Sequence, residues 1–120
     1  HVEDDPSIQT VARVALEAVG GFEVCTCSGG QEALDRFESI APQLILLDVM
    51  MPTMDGPSTL RNLQQQFDLT KIPVVFMTAK VQTNEIESYK ALGASDVVVK
   101  PFDPMKLSEQ IQGIWLSHQQ

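Results

Sequence analysis

Apolar positions along the chain follow two alternating rhythms. Short apolar-rich runs occur at 22–27, 44–47, 73–77 and 96–99. Their length and their Val, Ile, Leu and Phe content predict strands, the 44–47 run being apolar throughout and so buried on both faces. Between them, apolar residues recur at helical spacing. The sets are Ile8, Val11, Ala12, Ala15, Leu16 and Val19; Ala33, Leu34 and Phe37; Leu60, Leu63 and Phe67; Ile86, Tyr89 and Leu92; and Leu107, Ile111 and Ile114. Only His1 and Val2 precede the acids Glu3, Asp4 and Asp5, whereas a strand usually takes about five or six residues. The first strand is therefore expected to be cut short, with the sequence starting inside it.

Stop and start signals fit this division. Asp5 and Pro6 read as N-cap and first position of the first helix, which Gly20 and Gly21 end. Ser28 is placed to cap the second helix, and Asp55 with Gly56 and Pro57 opens the third. Gly93 closes the fourth, and Asp103 with Pro104 starts the fifth. Pro52 stops the third strand because it supplies no N–H to a ladder. Five strands alternating with five helices require right-handed crossovers and a parallel sheet covered on both sides. The expected fold is α/β, a three-layer α/β/α sandwich, in one domain over residues 1–120.

The net charge of -8 argues against direct nucleic-acid binding, while an acidic surface suits a basic protein partner. Cys25 and Cys27 lie two apart on one strand; they share a face without being able to bridge easily, and read as reduced core thiols. With no signal peptide and no apolar run near 18 residues, the expectation is a cytoplasmic protein without a membrane segment.

Candidate chemistry lies at the strand ends. In a parallel sheet all carboxyl ends face one rim, so Glu3, Asp4, Asp48, Thr78 and Lys100 should converge there. Two carboxylates about 4 Å apart repel by roughly 4 kcal/mol at an effective dielectric of about 20. Three acids against the single cation Lys100 call for a divalent ion, and an all-oxygen donor set favours Mg²⁺ over zinc. With that charge offset, Asp48 can act as a carboxylate nucleophile towards phosphorus, and Thr78 can donate to a phosphoryl oxygen.

Val2-Glu3-Asp4-Asp5, Leu47-Asp48-Val49-Met50-Met51-Pro52 with Asp55 and Gly56, Met77-Thr78-Ala79, and Val99-Lys100-Pro101-Phe102 stand in this order on successive strand ends. Thr78 lies 30 residues and Lys100 52 residues after Asp48. In these motifs and separations, over essentially its whole length, the chain resembles the receiver domain of two-component response regulators. The resemblance implies a flavodoxin-like (CheY-like) fold with strand order 2-1-3-4-5. It implies that Asp48 is the phosphoacceptor, charged by a histidine of a sensor histidine kinase or a histidine phosphotransfer protein. Asp4, Asp48 and the Met50 backbone carbonyl would ligate Mg²⁺, with Glu3 acting through water. The acidic tripeptide leaves a choice of acid pair; the register after Val2 favours Glu3 and Asp4, with Asp5 as the helix cap. The resemblance further implies that Lys100 pairs with the aspartyl phosphate, that Lys100-Pro101 is cis, that the Ala79 backbone meets the phosphate, and that Thr78 signals its presence. The signal would reach a downstream protein or a covalently attached output domain through the face of the fourth helix, fifth strand and fifth helix. A homodimer through that face is compatible with the resemblance.

Two departures stand out. Val97 occupies the switch position where the family often has Tyr or Phe, so a signal must travel through backbone and helix shifts. Met50 and Lys80 hold the variable positions two residues after Asp48 and Thr78, where Met50 should hinder water. Two other function classes compete. A Mg²⁺-dependent phosphohydrolase with an aspartyl nucleophile needs an acid where Met50 stands and a cap insertion for which the chain has no room. A phosphorylation-independent interaction module would not need the complete acid, Thr and Lys set. The expectation is thus a switch that catalyses only its own phosphorylation and dephosphorylation, either free-standing or joined to an output domain. Met50, Met51 and Met54 read as loop packing, Trp115 and Tyr89 as helix-face residues, and His118 as exposed.

Overall fold

The computed structural model describes residues 1–79 and 82–119. The Lys80 expectation falls outside the described residues. Helix α1 spans Pro6–Val14, and the Asp5 carboxylate caps it by accepting from the Ser7 N–H at 2.8 Å. The sequence predicts one helix up to Gly20, but the final stretch, Ala15–Val19, is wound as a π turn. It closes with Phe22 N–H on the Leu16 carbonyl and Gly21 N–H on the Glu17 carbonyl, with Gly21 left-handed at φ +70.

Helix α2 covers Gly30–Ile40, β1 Ile45–Asp48, α3 Gly56–Gln66, β2 Val74–Thr78, α4 Thr83–Ala91, β3 Asp96–Val99 and α5 Leu107–His118. Strand β2 pairs in parallel with β1, Asp48 opposite Met77, and with β3, Thr78 opposite Val99. Val2 bridges Leu47 on one side and Cys27 on the other, both in parallel. The lateral order is therefore the 2-1-3-4-5 order, with the first two lines reduced to single bridges.

The 22–27 run was expected to be a full strand and is not one. A ladder requires a partner alongside, and here the pairing is confined to His1 N on the Cys25 carbonyl, Cys27 N on the His1 carbonyl and Glu3 N on the Cys27 carbonyl. Side chains satisfy backbone groups in this stretch: Glu17 Oε2 accepts from Val24 N–H at 3.3 Å, and Arg36 Nη1 donates to the Thr26 carbonyl at 3.0 Å.

Alternation along the strands builds two cores, one per face of the sheet. Ile45, Leu47, Val74 and Phe76 meet Leu34, Leu60 and Leu63 on one side. Leu46, Val75, Met77 and Val98 meet Ala12, Leu16, Leu107 and Ile111 on the other. This is the three-layer sandwich that the sequence predicts. Tyr89 packs edge-on against Phe76 with ring centres 5.1 Å apart, and Phe37 stacks on Phe67 at 4.1 Å.

Three local expectations are corrected. Ser28 does not cap α2; Gly29 is the N-cap, and the Ser28 N–H is itself taken up by Glu32 Oε1 at 3.1 Å. Asp103 does not start α5 directly; its carboxylate accepts from Met105 N–H in a preceding turn, and the helix begins at Leu107. Leu92 is the C-cap that follows α4 and is exposed rather than inward, and α4 itself buries none of its residues fully.

Candidate phosphoacceptor site

Asp48 is the last residue of β1, and although charged it is only 3% exposed. Its N–H is held by the Val2 carbonyl at 3.0 Å, which ties the third line of the sheet to the first. Beyond it the chain folds straight back. Val49 N–H bonds to the Met77 carbonyl, and Gly56 N–H returns to the Val49 carbonyl at 2.9 Å. Asp55 caps α3 by accepting from Ser58 N–H at 2.8 Å, as its place in the sequence predicts. Gly56 is required there, because a Cβ on it would stand 2.5 Å from the Asp48 carbonyl oxygen and 2.8 Å from Val49 Cα.

Three acids converge as expected. One carboxylate oxygen from each of Glu3, Asp4 and Asp48 falls within a cluster whose members lie within 4.8 Å of one another. Glu3 is buried at 1% exposure, while Asp4 is exposed at the mouth. Lys100, directly after β3, places Nζ 2.8 Å from Glu3 Oε1 and 2.9 Å from Asp48 Oδ1. Glu3 Oε2 also accepts from the Asp5 N–H at 3.2 Å. Thr78 ends β2, is 3% exposed, and its carbonyl receives the Lys100 N–H at 2.8 Å. Met50 and Ala79 follow in the loops after β1 and β2, and the Met50 side chain is 70% exposed. Lys100-Pro101 is cis.

The electrostatics match this packing. Burial, with the neighbouring Asp48 charge in support, holds the Glu3 carboxyl above the ordinary glutamate value despite its bonds to Lys100 and Asp5. Burial works against the Lys100 charge too, but its bonds to Glu3 and Asp48 outweigh this and keep the ammonium above the ordinary lysine value. Three carboxylates facing one ammonium form an all-oxygen donor set with surplus negative charge, and such a set suits a hard divalent cation.

Val97 lies opposite Phe76 in the register and packs at the edge of the core that holds Tyr89. The aromatic side chains there come from β2 and α4 instead of β3. His118, expected to be exposed, is half-buried, with Nε2 3.1 Å from the Thr70 carbonyl oxygen. Sequence reasoning missed Gln9, whose side-chain amide donates to the Glu3 carbonyl at 2.5 Å. Its only sequence signal is a polar residue four positions after the Asp5 cap, beside the apolar stripe of α1.

The sequence model of the response regulator receiver domain matches residues 1–112. The alkaline phosphatase synthesis transcriptional regulatory protein PhoP of Bacillus subtilis is 37% identical over 113 residues, covering 94% of this chain and 46% of its own. The phosphate regulon transcriptional regulatory protein PhoB of Rhizobium meliloti is 35% identical, covering 94% and 49%. This chain thus spans about half the length of the curated relatives it matches. Among solved structures, the chemotaxis response regulator CheY4 of Vibrio cholerae superposes with a TM-score of 0.86 at 30% identity, covering 94% of this chain and 93% of that one. No described helix is long and apolar enough to cross a membrane. Sheet order, acidic rim and relatives agree, and the chain belongs to the response regulator receiver domain family, the phosphorylation-dependent switches of two-component signalling.

Proposed function

We propose that Asp48 accepts the phosphoryl group from a histidine of a sensor kinase or phosphotransfer protein, and that the charged form alters a partner-binding face. The observation that carries this reading is the buried Asp48 carboxylate held 2.9 Å from Lys100 within a cluster of three acids. In the transfer, an Asp48 oxygen forms the new bond to phosphorus as the phosphorus–nitrogen bond breaks, and the donor imidazole keeps that electron pair. Asp4, Asp48 and the Met50 carbonyl would hold Mg²⁺, with Glu3 acting through water. The ion supplies charge neutralisation for the incoming phosphoryl oxygens. Lys100 is positioned to exchange its contact with the free carboxylate for one with the phosphorylated group. Thr78 and the Ala79 backbone are the donors at the neighbouring strand end.

The protein works as a switch and does not turn over an external substrate. At the position where a phosphohydrolase would need an acid stands the exposed Met50. The output is a downstream protein or an attached domain, reached through the face of α4, β3 and α5, and the setting is cytoplasmic. Incubation with a small acyl phosphate and Mg²⁺ should add one phosphoryl group, detected by intact-mass measurement, and Asp48→Asn should remove it. A wild-type protein that stays unlabelled refutes the reading. Steady release of phosphate from monoesters would favour a hydrolase instead. Partner binding unchanged by phosphorylation would favour a phosphate-independent interaction module.

A further inference from the structure

We propose that Gln9 is a positioning residue for the metal-binding acids, setting the place of Asp4 without touching it. This rests on the phosphoacceptor reading above and adds to it a residue outside the strand-end motifs. Gln9 lies on α1 and is half-buried, and its groups reach both neighbours of Asp4. Its side-chain Nε2 donates to the Glu3 carbonyl at 2.5 Å, and its backbone N–H donates to the Asp5 carbonyl at 3.0 Å. The same Nε2 lies 3.4 Å from Ser28 Oγ, in the segment leading to α2.

Asp4 needs such a brace. Glu3 is fixed from every direction: its N–H by the Cys27 carbonyl, one carboxylate oxygen by Lys100 and the other by Asp5 N–H. Asp4 is the exposed member of the cluster, so its position depends on the peptide units on either side. Gln9 grips both. One of these grips, the backbone bond, belongs to the start of the helix and survives any substitution but proline. The other depends on the side-chain amide, which makes it separable from folding. Groups that orient metal ligands from one layer out are typically worth about 10–100-fold in metal affinity. With one of two grips removed, the lower end of that range applies.

The test uses Gln9→Met, which keeps length and loses the donor, beside Gln9→Asn, which keeps a neutral amide donor on a stem one methylene shorter. Mg²⁺ affinity is measured by calorimetry on the unphosphorylated protein. The half-saturating Mg²⁺ for phosphorylation by a small acyl phosphate is measured alongside. Expected are an about tenfold weaker Mg²⁺ affinity in Gln9→Met, an equal rise in half-saturating Mg²⁺, and an unchanged rate at saturating Mg²⁺. Gln9→Asn should lose less affinity than Gln9→Met. Equal Mg²⁺ affinity in wild type and Gln9→Met overturns the proposal, as does a lower saturating rate with affinity unchanged. Loss of stability in both variants without a change in Mg²⁺ affinity also overturns it, by reducing Gln9 to a structural residue. If wild type itself takes no phosphoryl group while the calorimetric difference persists, the phosphoacceptor reading fails and the role of Gln9 in metal binding stands.

Discussion

Replacing Gly56 by alanine should damage the protein, although the same change in an ordinary helix helps. Gly56 opens α3 directly over the end of β1. The added methyl would meet the Asp48 carbonyl oxygen at 2.5 Å and Val49 Cα at 2.8 Å, and both are backbone atoms that no rotamer change can move aside. Overpacking of this kind costs about 1–3 kcal/mol, and the unyielding neighbours place it near the upper end. Against this stands a gain of about 0.5–1 kcal/mol from the smaller entropy of the unfolded chain. The net expectation is a loss of about 2 kcal/mol, or roughly 8 °C at about 4 °C per kcal/mol for a domain of this size. Gly113, inside α5, supplies the control, since a Cβ there meets nothing within 4 Å. Gly113→Ala should gain about 0.5–1 kcal/mol. Urea and thermal unfolding of both variants measure the difference, and on the proposed function phosphorylation by a small acyl phosphate should slow only in Gly56→Ala. If Gly56→Ala melts at or above wild type, the close approach of α3 to the acceptor strand is wrong.

Lys100→Met should cost about 3 kcal/mol in metal-free buffer, because Glu3 and Asp48 stay buried without their counter-charge. Mg²⁺ should restore part of it, and unfolding in chelator equal to wild type would contradict the pairing. Removing Mg²⁺ from the wild type should lower stability by about 2.7 kcal/mol relative to a concentration 100 times the dissociation constant. Calorimetric scans with and without chelator test this, and Asp48→Asn should shrink the difference. The Ser28 N–H and then Arg36 hold the Glu32 carboxyl below the ordinary value of 4.5. The stability it contributes is therefore present above pH 4.5 and lost as pH falls through the lower folded value. Glu32→Gln should be less stable by under about 1 kcal/mol at neutral pH, since the pair is well exposed. The gap should close on acidification, and a pH-independent gap would rule out a charge effect.

The sandwich and the site were legible in the sequence for one reason: alternation fixes which face each strand residue takes, and parallel strands must end on the same rim. Asp48, Thr78 and Lys100 are all strand-end residues, so the sheet brings them together without help from loops. Less legible was anything decided by a neighbour distant in sequence. Ser28 reads as a cap, yet α2 starts at Gly30, where a side chain would collide with Thr59 and Met54. The 22–27 run alternates like a strand but pairs only where His1 to Glu3 lie beside it. The π turn at Ala15–Val19 consists of ordinary helix formers and leaves no sequence mark. Gln9 and Gly56 are a different case: they meet Glu3 and Asp48, six and eight residues back, through chain reversals that the spacing of apolar positions does not encode.

Lys100 and Glu3 are 97 positions apart, yet they share one hydrogen bond at the heart of the pocket. A nascent copy still lacking its final strand, or one clipped between these two residues and separated, holds only half of the charge balance. The balanced pocket therefore exists only where both of these distant stretches are present and joined in one folded domain.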